Sequence, residues 1–195
     1  MSPMSERQRV LVLFAHPAQR RSEVNVAMAR AARGVEGVTV ADLYAEYPRL
    51  EIDIEAEQAR LRAHDVLVMQ FPMYWYSTPA ILKEWQDLVL EHGFAYGTGG
   101  TALHGKGMLA ALTTGGPATA YRAGGYNNFT VDELLAPLEQ TANLCGMRWL
   151  PPFVLHGARR ALEDGRIPDH VADYVALLAA LRDGQDVAAG RIAGG

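Results

Sequence analysis

VLVMQFPMYWYSTPAILKEWQD, Val66–Asp87, runs from a buried strand through an aromatic loop into an amphipathic helix. Val66–Phe71 is almost wholly apolar, the pattern of a strand covered on both faces. Pro72 has no N–H to donate and is expected to end the pairing. Tyr74, Trp75 and Tyr76 follow. Ser77 or Thr78 can cap the next helix, and Pro79 suits its first turn. Ile81, Leu82, Trp85 and Leu88 then share one helical face. In open α/β sheets, loops at the carboxyl ends of strands receive ligands. The three aromatics there either line the slot of a flat apolar ligand or pack the loop onto the core.

Upstream, Val10–Ala15 (VLVLFA) is a second apolar run, stopping at His16-Pro17. The next segment predicts a helix with Ser22 as N-cap, an apolar stripe of Val24, Ala27, Met28 and Ala31, and Gly34 at its end. Val38–Ala41 reads as a short strand and Leu43–Leu50 as a loop. Asp53–Ala63 reads as a polar helix whose Glu55, Glu57, Gln58, Arg60 and Arg62 leave a narrow buried face. Downstream, Gly93–Gly107 is a glycine-rich loop, Met108–Thr113 a fourth strand and Ala118–Asn128 a second flexible stretch. Val131–Asn143 follows as a helix that Pro137 should kink or delay. Arg148–His156 is a fifth strand, weakened or set at an edge by Pro151-Pro152. Asp169–Leu181 is the last helix. Residues 1–8 and 183–195 are expected to fray, leaving 9–182 as one domain.

Strands alternating with helices predict a parallel sheet covered on both faces. Five strands fit the doubly wound order 2-1-3-4-5 of flavodoxin-like folds, whose switch point lies between strands 1 and 3. The ligand crevice should therefore open between His16 and the aromatic loop.

The 195 residues suit one large domain, and 49% hydrophobic content supports a sizeable core. A net charge of −4 argues against bulk nucleic-acid binding. No apolar run reaches the length of a membrane span, and the first nine residues carry no secretory h-region. The lone Cys145 reads as a small core residue, and a reducing cytoplasm is the expected compartment.

HPAQRRSEVN, His16–Asn25, enters a helix amino end, where unpaired N–H groups suit a phosphate. Plain capping by Ser22 is the alternative. Arg20 and Arg21 either reach phosphates or lie idle on the surface. GTALHGKG, Gly100–Gly107, misses a P-loop because Gly107 stands where a Ser or Thr would hold Mg²⁺, and because a strand follows it. Thr113-Thr114-Gly115-Gly116 closes strand 4; its glycine N–H groups either face a developing negative charge or merely end the strand. His64, His92, His104 and His170 show no metal spacing and read as surface or capping residues.

Six stretches together carry a family resemblance: AHP at Ala15–Pro17, DIEAEQ at Asp53–Gln58, QFPMYWYSTPAILKEW at Gln70–Trp85, HGFAYGTGGTALHGK at His92–Lys106, TTGG at Thr113–Gly116 and CGMRWLPPF at Cys145–Phe153. From Val10 to about His156 the chain resembles the flavodoxin-like NAD(P)H:quinone oxidoreductases. Within them it is most similar to the KefF and KefG ancillary flavoproteins of glutathione-gated potassium efflux.

The resemblance implies a noncovalent flavin, FMN or alternatively FAD, with NAD(P)H as co-substrate and quinone-like molecules as acceptors. It places His16, Ser22, Glu23, Val24 and Asn25 around the phosphate and ribityl chain. Met73, Tyr74, Trp75 and Tyr76 fall on one side of the ring, and Thr113, Thr114, Gly115 and Gly116 along its other edge. It also implies a homodimer; no residue is read as a metal ligand, since neither H-E-x-x-H nor C-x-x-C occurs. Gly115 and Gly116 are the candidate donors to charge on the reduced ring, and Tyr121 matches a family tyrosine. The family's accompanying histidine falls at Tyr126 or Asn127, a departure that puts the proton-relay half of that mechanism in question. An alternative reading is a regulatory subunit docked at the inner membrane face on a potassium/proton antiporter. A third is a flavin-binding protein without useful turnover.

Overall fold

The computed structural model describes residues 7–187. Among these, strands form at β1 (Val10–Phe14), β2 (Val38–Asp42), β3 (Val66–Pro72), β4 (Gly107–Thr113), β5 (Arg148–Trp149) and β6 (Phe153–Leu155). Helices form at α1 (Val24–Ala32), α2 (Leu43–Glu46), α3 (Ile54–Arg62), α4 (Ala80–Val89), α5 (Val131–Leu144) and α6 (Ile167–Arg182). The sheet is parallel in the order β2-β1-β3-β4-β5, with β6 also on β4. This is the expected 2-1-3-4-5 order.

Alternation along the strands divides two cores. Leu11, Leu13, Leu67, Met69 and Phe71 face Ile81, Leu82 and Trp85 of α4 and Leu135 and Leu138 of α5. Val10, Val12, Val66 and Val68 face Met28 of α1 and Tyr174 and Leu178 of α6. Each central strand is thus buried on both sides, which is why it reads as an unbroken apolar run.

The fifth strand is two pieces. Arg148–Trp149 pairs with Gly107–Met108, and Phe153–Leu155 with Ala111–Thr113. Pro151 and Pro152 supply no N–H in between, so the ladder breaks there. The stretch Leu43–Leu50 is not all loop: Asp42 accepts from the Ala45 N–H and caps α2, with Leu43 buried. The helix read as polar buries Glu57 and Gln58 beside Leu61. Glu57 is fully enclosed because its carboxylate accepts from Tyr47 Oη at 2.7 Å, Trp85 Nε1 at 2.8 Å and Arg60 Nη1 at 2.7 Å. Paired this way, a charge survives in the core. α5 does not start late; a Thr130–Glu133 capping box fixes its start at Val131 despite Pro137. Pro72 pairs with Thr113 rather than ending the strand before it. Cys145 is buried, as expected. The fraying expected of the two ends falls largely on residues 1–6 and 188–195, outside the described residues.

Candidate functional site

Pro72 and Thr113 are register partners, and the Met73 N–H donates to the Thr113 carbonyl at 2.9 Å. The aromatic loop and the Thr-Thr-Gly-Gly turn therefore leave the sheet side by side. Tyr74 and Ser77 exchange both backbone hydrogen bonds at 3.0 Å, closing a two-residue turn. Its central residues, Trp75 and Tyr76, have φ of 48° and 64°. Positive φ at both positions is the pattern of a type I′ turn, which normally takes Asn and Gly. Two large aromatics held there signal strain stored at a site. Trp75 is 92% exposed, and Tyr74 and Tyr76 are 41% and 45% exposed. Packing onto the core is thus not what these rings do; they stand open at the crevice.

Opposite them, Thr113 and Thr114 are buried. Neither Gly115 nor Gly116 has positive φ, so the backbone does not demand glycine at either. A Cβ at Gly115 would meet only Arg159 Nε at 3.9 Å, which leaves open space there. At Gly116 a Cβ would lie 3.4 Å from the Tyr121 ring and 3.6 Å from Asn127 Nδ2. Tyr76 Oη donates to Asn127 Oδ1 at 3.3 Å, joining the two loops at the rim.

The floor of the crevice is polar. Gln70, the one polar side chain in β1 and β3, is fully buried on the α1–α6 face. Its Nε2 donates to the Asn25 carbonyl at 2.8 Å, and its Oε1 accepts from Tyr174 Oη at 3.2 Å. Asn25 Nδ2 donates to Thr113 Oγ1 at 2.8 Å, while Asn25 Oδ1 is buried with no partner among the described residues. A buried acceptor left unspent costs about 1–3 kcal/mol and points to a missing donor.

The loop after β1 lines a cleft of about 440 Å³ with His16, Pro17, Gln19, Arg20, Arg21 and Tyr44. Arg20 and Arg21, exposed though they are, thus stand beside the site. His16 Nδ1 accepts from the Ala18 N–H at 3.1 Å, which puts the ring proton of the neutral form on Nε2. Burial holds its pKa below the usual histidine value. Its ring meets Tyr74 edge-on at 6.2 Å. Ser22 does not cap α1. It closes a short 3-10 turn, Gln19–Arg21, and Glu23 takes the N-cap position without a side-chain bond. The first N–H groups of α1 are therefore left to other acceptors. Pro79, in turn, is itself the N-cap of α4, so neither Ser77 nor Thr78 caps that helix and Pro79 stands just before its first turn.

A family model described as flavodoxin-like fold matches residues 8–178. The chain belongs to this family. The flavodoxin-like chain is 51% identical over 157 residues to the glutathione-regulated potassium-efflux system ancillary protein KefG of Serratia proteamaculans, covering 80% of this chain and 86% of that one. The general stress protein 14 of Treponema denticola, solved in complex with FMN, superposes with a TM-score of 0.83 at 41% identity, over 89% of this chain and 99% of that one. An NADPH-quinone reductase from P. pentosaceus matches with a TM-score of 0.78 at 32% identity, over 87% and 97%.

Tyr126 and Asn127, where the family pattern would have a histidine, divide: Tyr126 is 91% exposed, whereas Asn127 lies at the rim beside Gly116. Sequence reading missed His156, seen there only as the end of a strand. It stands one residue past β6, with Nδ1 3.2 Å from Thr114 Oγ1 and its ring 5.6 Å from that of Tyr121. Nothing in the local sequence announces this; it follows from β6 pairing with the end of β4. His170 is likewise no surface residue. It is buried, stacked on Phe153 at 4.4 Å, with its pKa pushed down to about 4 by loss of solvent.

Proposed function

We propose that this flavodoxin-like chain is a flavin-dependent NAD(P)H:quinone oxidoreductase using FMN. One observation carries the reading: a strained, solvent-exposed aromatic turn and a glycine pair with open space at Gly115 leave adjacent strands beside a buried amide oxygen with no partner among the described residues. The donor set fits a flavin. Rings stand ready for a flat partner, backbone N–H groups are available for a phosphate and a polar edge, and Asn25 Oδ1 awaits a hydroxyl. The FMN complex of the 41% identical relative supports the same choice.

FMN, when bound, supplies a ring that accepts a hydride from NAD(P)H and yields one to a flat acceptor. His16, Ser22, Glu23, Val24 and Asn25 would hold its phosphate and ribityl chain. Met73, Tyr74, Trp75 and Tyr76 would lie along one side of the ring, and Thr113, Thr114, Gly115 and Gly116 along the other edge. The Gly115 and Gly116 amides offset negative charge there, and Tyr121 can hydrogen-bond an acceptor oxygen. Losing one such amide should raise the barrier by about 2.7–4 kcal/mol. Gly116→Pro should therefore bind FMN yet turn over at least a hundredfold slower; normal turnover by the yellow variant would remove the assignment.

The decisive test is direct. The purified protein is incubated with FMN or FAD, freed of excess, and its cofactor released by heat and identified. Stopped-flow mixing with NADH or NADPH, then with a benzoquinone, should bleach and restore the yellow colour. A protein that stays colourless sinks the proposal.

A homodimer is part of the reading. Trp75, Tyr126 and Phe129 expose large apolar surface around the crevice, and a second copy covering them would complete each site. The 51% identity to KefG supports a second role, docking as an ancillary subunit on a potassium/proton antiporter at the inner membrane face. No helix among the described residues is long and apolar enough to cross a membrane, so such docking would be peripheral. Restored efflux in a strain lacking its own ancillary protein would favour this role; reductase activity without restored efflux would favour a free-standing enzyme.

A further inference from the structure

The segment Leu155–Ala158 is laced to the Thr-Thr-Gly-Gly turn by three backbone bonds: Thr114 N–H to Leu155 O, Gly157 N–H to Gly116 O and Ala158 N–H to Thr114 O, at 2.8–2.9 Å. Between them lies a side-chain link. The Thr114 hydroxyl donates to the Gly116 carbonyl at 2.9 Å and also sits 3.2 Å from His156 Nδ1. A hydroxyl has one hydrogen. Since that hydrogen goes to Gly116, the imidazole must be the donor, so His156 carries its proton on Nδ1. Nε2 then holds the free lone pair. Protonation at Nε2 leaves the bond to Thr114 intact, so His156 can gain a charge without disturbing the turn.

We propose that His156 is the proton-coupled positioning residue of the Gly115–Gly116 turn, taking up one proton at Nε2 when negative charge is placed on a ring seated against that turn. The proposal rests on the flavin reading above. The balance is simple: hydride from NAD(P)H brings two electrons and one proton, and the second proton comes from water to Nε2. Water has a route, because His156 borders a cavity of about 840 Å³ that also touches Gly115.

The charged and titratable neighbours set its resting state. Arg166, at the start of α6, donates to the His156 carbonyl at 2.9 Å. Arg160 and Asp164 border the same cavity from the intervening segment, Asp169, His170 and Asp173 do so from α6, and Tyr121 packs on the ring. Burial, then the Arg166 charge, holds the imidazole below its ordinary pKa and therefore neutral at pH 7. New negative charge on the turn side would reverse that bias. Asn127 cannot serve, since an amide does not titrate in this range.

Three measurements on the FMN-loaded full chain test this. The bound flavin's midpoint potential, followed from pH 5 to 9, should show a window in which wild type shifts tenfold in equilibrium per pH unit more than His156→Gln. That is an extra slope of about 30 mV per pH unit for a two-electron couple. Gln keeps a donor for Thr114 but cannot titrate. Coincident curves would overturn the proposal while leaving the flavin reading standing. Imidazole nitrogen NMR of the wild-type apoprotein should show the Nδ1–H tautomer, and the His156 pKa should rise on reduction of the loaded protein. The Nε2–H tautomer, or a pKa unmoved by reduction, would each overturn it without any need for the variant. A protein that never binds flavin would remove the functional reading and this one with it.

Discussion

Trp75 and Tyr76 occupy left-handed backbone at φ 48° and 64°, a region that costs a bulky residue of order 1–3 kcal/mol. Trp75→Gly should therefore raise stability by about 1 kcal/mol, visible as a higher urea midpoint, and weaken FMN about tenfold, visible by fluorescence titration. A variant that gains stability and keeps its affinity would show that the ring does not touch the cofactor. His170 makes the opposite kind of prediction. Its folded pKa is about 4 against an ordinary 6.5, so between those values the unfolded chain binds more protons. The stability it contributes is complete above pH 6.5 and is lost as pH falls toward 4, by no more than about 3–4 kcal/mol at 1.36 kcal/mol per unit. His170→Phe should flatten that part of the stability–pH curve. At this scale the sequence was partly legible. Aromatics and glycines after strands announce a site, but His156 and His170 owe their surroundings to β6 pairing with β4 and to α6 packing on Phe153, and no local pattern encodes such long-range contacts.

A buried acid anchors the helix α3, with Gln58 bonded to the Val89 carbonyl beside it. Glu57 collects Tyr47, Trp85 and Arg60, joining α3 to α4 and to the segment after α2. Glu57→Ala would strand the Tyr47 and Trp85 donors and leave Arg60 with Glu46 alone, and should cost about 3 kcal/mol or more in denaturant unfolding. Loss of under 1 kcal/mol would mean that water replaces the carboxylate. The sequence of α3 therefore reads as polar with a narrow buried face: the residue that anchors it is charged, and periodicity counts only apolar positions. The central strands were legible for the converse reason. β1, β3 and β4 are covered on both faces, so burial itself writes the continuous apolar run. The short α2 escaped notice because a cap and a single buried leucine hold it, and four residues carry no period.

On the scale of the molecule, the exposed Trp75, Tyr126 and Phe129 lie on loops at the carboxyl end of the sheet. Phe129→Asp should shift sedimentation equilibrium from dimer toward monomer and weaken FMN in step; an unchanged mass would remove Phe129 from the proposed contact. The opposite hazard lies at the sheet margin beside β4. There Pro151-Pro152 divides what would be one long outer strand into pieces of two and three residues. An uninterrupted ribbon edge would invite other chains to add on, backbone to backbone, without limit. Two consecutive imino acids withhold the N–H groups that lateral growth along this margin would need.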